Sequence, residues 1–495
     1  MNDYSKYDAL GLAELVSKGQ VTASELMEEA ISRAAAVNPK INAIVGTMNA
    51  RGRKDALTPV PGPFTGVPFL LKDIHAAYAG VPLTNGSRLL RKFRPQEDAE
   101  IVRRYKRGGL IVFGKTNTSE FGLLPVAEPD LFGPTRNPWN TNRTAGGSSG
   151  GAAAAVAAGI VPMAHGSDGG GSIRIPSSCC GLFGFKPSRG ISPNGPDASE
   201  LFFGYGTQHV LTHTVRDSAT ALDVVAGPER ASFYRAIPVL NYAQAVQSPV
   251  PPLRIALTTD PFLPADVHPE CDAAARRAAT FCEDLGHTVE EAAPNINTEE
   301  FGRDYTVMCA AGVSLALRLW EGYFGRPVGR PDVEEVTALY REIGNNLSGP
   351  EVMFARDRLM AAQREMARFF RRYHVMLTPT LALPPVKIGH FEPRGLLQQI
   401  LDLSLTLPFK DVFKSEFARE QVISWVVRYG YSFTPYAPLA NIAGLPSMNV
   451  PLFQNQKNLP IGVMFTSALG RDTLLFKLAA QLESAHPWRQ RKANI

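Results

Sequence analysis

The chain has 495 residues, 44% of them hydrophobic and 20% charged, with a formal net charge of +5. That composition is globular and supports a large core. No dense Lys/Arg run with interleaved aromatics is present, which argues against a nucleic-acid groove, and no segment approaches 18 apolar residues without a charge, which argues against a membrane-spanning helix.

The opening residues contain acids and no long apolar run, so they do not read as a secretory signal. Residues 8–37 read as two helices, the second capped by Thr22 or Ser24 with Glu25 in its first turn. "NAIVGTM" (42–48) reads as a strand, and the apolar run Val67–Leu71 as a short buried strand that ends at Lys72 and Asp73. A helix over 98–107 leads through Gly108 and Gly109 into the strand "LIVFGKTN", a βαβ-like alternation. "NPWNTNRTA" before Ser148 reads as loop. "GGAAAAVAAGIVPMAHGSD" is a helix of small residues followed by a strand, and such a helix must pack closely against its neighbours. Residues 210–226 give a strand and then a helix, 253–260 a strand, and "PECDAAARRAATFCEDLGH" an amphipathic helix. Residues 300–375 are strongly helical; within them "REMARFFRR" presents Met366, Phe369 and Phe370 as an apolar face. "VMLTPTLALPP" is a strand entering a proline loop, and the end holds two strands and a helix over 472–484. With no internal repeat, strands on both sides of a long helical stretch predict one large α/β domain with a helical insertion.

Two Gly/Ser clusters stand out: Gly146-Gly147-Ser148-Ser149-Gly150-Gly151 and Gly169-Gly170-Gly171-Ser172. One helix and one strand separate them, which lets both meet at one end of the sheet. A phosphate loop would need a lysine that neither cluster has. "GGSSG" matches a nucleophile elbow at Ser148, but an elbow needs a strand before it. It also needs a late histidine, and His287, His374, His390 and His486 sit in surface-helix or strand-edge contexts. Either cluster alone reads as a tight packing turn. Together with Lys72 at the end of a buried strand, they point to a Ser-Ser-Lys hydrolase. A serine hydroxyl needs a base, and a partly desolvated lysine can be one. Five cysteines without metal-ligand spacing fit reduced thiols in a cytoplasmic protein.

The segments "GVPFLLKD", "GKTNTSEFG", "TRNPWN", "GGSSGGAAAAVAAG", "GSDGGGSIRIPSSCCGLFGFKPSRG", "NIAGLPSMNVP" and "LPIGVMF" resemble the amidase signature family over nearly the whole chain. Among its members the chain is most similar to the 6-aminohexanoate cyclic dimer hydrolases, which open small nylon-related cyclic amides. The resemblance implies one amidase domain over 1–495 with a central mixed sheet surrounded by helices. Its parts would be N-terminal helices (1–60), a catalytic core (61–230), a helical insertion (300–420) and C-terminal strands and helix (430–495).

The resemblance also implies roles. Ser172 matches the acylated nucleophile, Ser148 the bridging serine, whose preceding peptide bond is cis in the family, and Lys72 the general base. The proton would pass from Ser172 to Ser148 to Lys72 and then to the leaving amine. The backbone N–H groups of Gly169, Gly170, Gly171 and Ser172 would form the oxyanion hole. Asp168 and Arg174 would hold that loop through paired hydrogen bonds. Where this chain has Gly169 the family commonly carries a bulkier residue, so a larger cavity is expected. Gly122, Leu123 and Leu124 would form an apolar wall of the acyl pocket. Cys309 matches a pocket-lining cysteine, with a buried helix cysteine as the other reading. The implied substrate is a neutral, apolar small amide, with no metal and no organic cofactor, and a homodimer is common among similar enzymes. Carbamates and aryl amides would use the same groups. A glutamine-hydrolysing amidotransferase subunit and a non-catalytic binding protein are the competing classes.

Overall fold

The computed structural model describes residues 4–229, 232–234, 241–392, 413–493 and 495. The chain opens with helices α1 (Ala9–Ser17) and α2 (Ala23–Ile41). Thr22 is the N-cap of α2: its hydroxyl accepts from the Glu25 N–H while the Glu25 carboxylate accepts from the Thr22 N–H. This reciprocal box satisfies two donors that the first turn leaves without intrahelical partners. Strand β1 (Ile44–Thr47) follows, then a short helix α3 (Asn49–Ala56) that the sequence reading did not anticipate. Only Gly52 and Ala56 of α3 are buried, so its eight residues carry no apolar stripe.

The central segment supplies β2 (Pro68–Lys72), α4 (Glu100–Arg107), β3 (Ile111–Thr116), the hairpin β4 (Arg136–Asn137) and β5 (Asn140–Thr144), α5 (Gly150–Ala157), β6 (Met163–Asp168), α6 (Arg174–Cys180), β7 (Phe183–Lys186), β8 (Thr207–Thr212) and α7 (Val215–Val225). The hairpin corrects the loop reading of "NPWNTNRTA". Its residues are polar and show no alternation. Side chains hold it instead, with Asn137 Nδ2 donating to the carbonyls of Thr144 and Cys179 and the Trp139 indole donating to that of Cys180. The helix α6 was also unforeseen; its seven residues are too few for a periodic signal, and all are buried.

The remainder contributes α8 (Tyr242–Val246), β9 (Arg254–Leu257), α9 (Pro269–Asp284), β10 (Thr288–Glu291), the long helices α10 (Thr298–Phe324), α11 (Glu335–Asn345) and α12 (Gly349–Phe369), β11 (Val375–Pro379), α13 (Glu416–Gly430), α14 (Ala437–Ile442), β12 (Ser447–Gln454), β13 (Pro460–Ser467) and α15 (Asp472–Ala485). Met366 is buried and Phe369 and Phe370 half-buried, as the apolar face of "REMARFFRR" requires. Of the segment read as a helical insertion, residues 393–412 lie outside the described residues, and β11 belongs to the sheet.

Eleven strands form one mixed sheet in the order β1-β3-β2-β6-β8-β7-β12-β13-β11-β9-β10. Strands β2 and β6 run parallel side by side, with Leu70 opposite Ala164, and every residue of both is buried. Parallel neighbours end at the same sheet edge, so Lys72 at the end of β2 and Ser167–Asp168 at the end of β6 emerge together. Ligands of open α/β sheets bind at that carboxyl edge. Among the described residues no helix is long and apolar enough to cross a membrane.

Replacing Thr22 by Ala removes one side of the capping box. It is expected to lower stability by about 1 kcal/mol, read as a shift of the urea midpoint at unchanged slope.

Candidate active site

The Lys72 side chain turns inward from the end of β2 and is fully enclosed. Its Nζ lies 2.7 Å from Ser148 Oγ, 3.0 Å from Ser167 Oγ and 3.5 Å from the Ser167 carbonyl. No carboxylate is among these partners. Burial therefore dominates and lowers the amine from its usual value near 10.5 to about 7, against a smaller upward pull from Asp168. The Lys72 N–H is held by His165 Nδ1 at 3.3 Å, and His165 Nε2 lies 3.2 Å from Gln208 Oε1. The network thus assigns the ring proton to Nε2. Burial and the nearby Lys72 keep His165 neutral.

Ser148 sits in the turn between β5 and α5, and the Gly147–Ser148 peptide is cis. A Cβ on Gly147 would collide with the backbone of Val126, so only glycine fits this approach. Ser149 fastens the two serine loops together. Its N–H donates to the Ser172 carbonyl at 3.2 Å, its hydroxyl to the Ser167 carbonyl at 3.2 Å, and its Oγ accepts from the Ser167 N–H at 3.3 Å. Ser149, Ser167 and His165 were not singled out from sequence. Only Ser149 carried a signal, its place within "GGSSGG".

Asp168 and Arg174 form a fully buried pair: Arg174 Nη2 donates to Oδ1 at 2.9 Å and Nε to Oδ2 at 3.0 Å. Burial alone would raise the Asp168 carboxyl. The Arg174 charge and its hydrogen bonds outweigh that and hold it well below the usual carboxylate range. Asp168 Oδ1 also accepts from the Gly171 N–H at 2.7 Å and from Asn441 Nδ2 at 2.9 Å, and Oδ2 from the Ile173 N–H at 3.1 Å. This corrects one expectation. The Gly171 N–H is committed to Asp168 and is not a free oxyanion donor. The φ of +122° at Gly171 turns the peptide toward that carboxylate, a conformation L side chains rarely adopt.

Gly169 and Gly170 differ from it. A Cβ on Gly170 would strike the Tyr305 hydroxyl, whereas one on Gly169 would meet only the Phe202 ring at 3.5 Å, an ordinary contact. Gly169 is therefore not required by the backbone; its missing side chain enlarges the space beside Phe202.

Ser148, Ser172, Gly169 and Gly170 face one cavity of about 500 Å³, and Gly122, Leu123, Leu124 and Cys309 line it too. Cys309 is half-buried, with the Tyr431 hydroxyl 3.9 Å from its sulfur. Burial pushes its thiol up to about 12, so it stays protonated. His75, Asn85, Phe121, Phe202 and Phe203 also line the cavity, and each has a φ between +46° and +63°. Such conformations are strained for bulky residues, cost of order 1–3 kcal/mol each and gather at functional sites. Sequence gave no sign of them, because a left-handed phenylalanine has no compositional signature.

The hairpin does place a strand before Ser148, contrary to the loop reading. The elbow fails on the side-chain contact instead, since Ser148 Oγ pairs with Lys72. His287, read as surface or strand edge, is buried between the Leu253 N–H and Gln481. It does not line the cavity, and neither do His374, His390 or His486.

The family described as Amidase matches residues 25–476. The 6-aminohexanoate-cyclic-dimer hydrolase of Paenarthrobacter ureafaciens is 34% identical over 496 residues, which cover 99% of this chain and 96% of that protein. A solved structure of 6-aminohexanoate cyclic dimer hydrolase superposes with a TM-score of 0.89 at 32% identity, covering 99% of both chains. A bacterial aryl acylamidase of the amidase signature family superposes with a TM-score of 0.84 at 27% identity, covering 98% of this chain and 97% of that one.

Removing one partner of the buried pair leaves the other charge uncompensated. Arg174→Met is expected to cost about 3–5 kcal/mol of stability, measured by urea unfolding, whereas Asn441→Ala should cost less because Arg174 still neutralises Asp168.

Proposed function

The chain belongs to the amidase family, whose members hydrolyse non-peptide C–N bonds, and we propose that it cleaves a neutral, largely apolar small amide through an acyl-enzyme on Ser172. The observation that carries this reading is the 2.7 Å contact between the enclosed Lys72 amine and Ser148 Oγ. With burial lowering its pKa to about 7, the neutral amine is populated at neutral pH and able to accept a proton.

Neutral Lys72 takes the Ser148 proton as Ser148 takes that of Ser172, and Ser172 Oγ bonds to the amide carbon. The resulting oxyanion faces the N–H groups of Gly169, Gly170 and Ser172, which have no protein acceptor among the described residues. Each such donor is worth about 10²–10³ in rate. The proton returns from Lys72 through Ser148 to the amide nitrogen, the C–N bond breaks and the amine leaves. Water then attacks the Ser172 ester, giving its proton to the same relay, and the acid leaves as Ser172 is reprotonated.

The apolar wall at Leu123 and Leu124 and the phenylalanines around Gly169 suit an uncharged substrate and disfavour glutamine. The named activity of the cyclic dimer hydrolases supports a cyclic or linear 6-aminohexanoate-like amide. An aryl amide is the second reading, favoured by the same aromatic lining and by the aryl acylamidase neighbour.

A phosphonyl fluoride probe should add once to the wild-type protein, on the Ser172 peptide, and not to Ser172→Ala. That variant should lose about 10⁴-fold or more in kcat, and an adduct retained on it would assign the nucleophile elsewhere. Lys72 is protonated and inactive as a base below its folded pKa, so kcat/KM should rise with pH through about 7. A profile flat between the acid and alkaline sides would remove Lys72 from the role of base.

A further inference from the structure

A second hollow, of about 210 Å³, lies between α10 and α11 and shares no residue with the catalytic cavity. Ser314, Leu317, Arg318 and Glu321 line it from α10, at the three- and four-residue spacing of one helix face, and Arg341 and Asn345 line it from α11. The two helices touch beside it at Gly344, where a Cβ would collide with the Ala310 carbonyl oxygen. Other residues of the same helices, Cys309, Gly312 and Ala316 of α10 and Tyr340 of α11, line the catalytic cavity. The hollow is therefore a second site on elements that also wall the first.

Its charges are held apart. The buried Val328 fixes two of them: its N–H donates to Glu321 Oε1 at 2.9 Å, and its carbonyl accepts from Arg341 Nη1 at 2.7 Å. Arg341 Nη2 pairs with Glu342 at 3.2 Å, yet its buried Nε has no acceptor. Arg318 Nη2 reaches only Asn345 Oδ1, at 3.5 Å, an oxygen that already accepts from Ser314 Oγ at 2.7 Å. Among the described residues Glu321 has no basic partner and Arg318 no acidic one. With Arg341 balanced by Glu342, one uncompensated charge of each sign faces the hollow, and the nearly fully buried Leu317 lies beside them.

We infer that this hollow binds a short ω-amino acid as its zwitterion, the carboxylate on Arg318 and the Arg341 Nε–H, the ammonium on Glu321, and the methylenes over Leu317. A plain anion would meet the Glu321 carboxylate, and a plain cation the two guanidinium groups. Because Val328 already holds Glu321 and Arg341, little side-chain freedom is lost when the ligand enters. The inference goes beyond the proposed reaction and does not depend on an acyl-enzyme.

The test is a saturation-transfer NMR titration of the full chain with 6-aminohexanoate at neutral pH. Transfer to the ligand methylenes should saturate in the wild type. Arg318→Ala and Glu321→Gln should each weaken binding about tenfold. Arg318 is exposed, and Glu321→Gln keeps an acceptor for the Val328 N–H, so neither change threatens the fold. Neither residue lines the catalytic cavity, so a loss of affinity in these variants places the ligand in the hollow and not at Ser172. Hexanoate and hexylamine, which carry one charge each, should bind about tenfold more weakly than the amino acid. Hexanoate or hexylamine binding as tightly as 6-aminohexanoate overturns the zwitterion. A wild-type titration that does not saturate, or an affinity unchanged in either variant, overturns the site.

Discussion

A lysine amine enclosed in protein, with only serine oxygens as partners, is the interaction on which the site depends. Burial disfavours its charged form, and that makes it a base near neutrality. The arrangement is precarious, because a full negative charge at Asp168 lies close enough to pull the amine back toward protonation. Burial outweighs that pull, and Arg174 engages the carboxylate itself. It takes both Asp168 oxygens, and the N–H groups of Gly171 and Ile173 and the Asn441 amide take what remains. Asp168 is thereby a fixed element of the glycine loop and not a counter-ion for Lys72. The same arginine donates to the Ala437 carbonyl and to the Asn441 side-chain Oδ1, so the C-terminal part of the chain is tied to a loop near its middle. The glycine loop beside Lys72 is in this sense held by distant parts of the fold.

The sheet does the rest of the positioning. Lys72 and Asp168 end adjacent parallel strands, which fixes their separation before any side chain is chosen. Ser148 must reach that edge from outside the sheet, and it does so on a turn whose backbone lies against Val126 too closely for a Cβ at 147. Ser149 then closes the assembly by bonding to both Ser167 and Ser172. Adjacent serines divide the work. Ser148 faces the amine, and Ser149 holds the loops.

What could be read from sequence follows from how local each signal is. The buried strand ending at Lys72, the capping box at Thr22 and the serine–glycine clusters are patterns a few residues long, and the structure has them where the sequence placed them. The hairpin before Ser148 depends on Asn137 reaching Cys179, forty-two positions away, and nothing within the hairpin announces it. The family resemblance implies that the Gly171 N–H serves the oxyanion hole. Its capture by Asp168 depends on a backbone angle that composition does not encode. Cys309 and the leucines of "GLLP" were placed at the cavity by resemblance. The left-handed phenylalanines, which face them, belong to no motif.

Those phenylalanines show how chemistry and selection are separated in space. Lys72, Ser148 and the glycine loop stand on strand ends and turns that the buried Asp168–Arg174 pair makes rigid. The cavity beyond them is bounded by Phe121, Phe202, Phe203 and one face of α10, which contribute nothing to proton transfer. Phe202 and Phe203 line the cavity from a left-handed backbone, at a cost that surrounding contacts must offset. A hole at Gly169 is useful only if something defines its far wall, and the Phe202 ring at 3.5 Å from a Cβ there does so. The missing side chain and the strained aromatic are therefore two halves of one device. Together they set the space beside the glycine loop without touching the charge balance around Lys72.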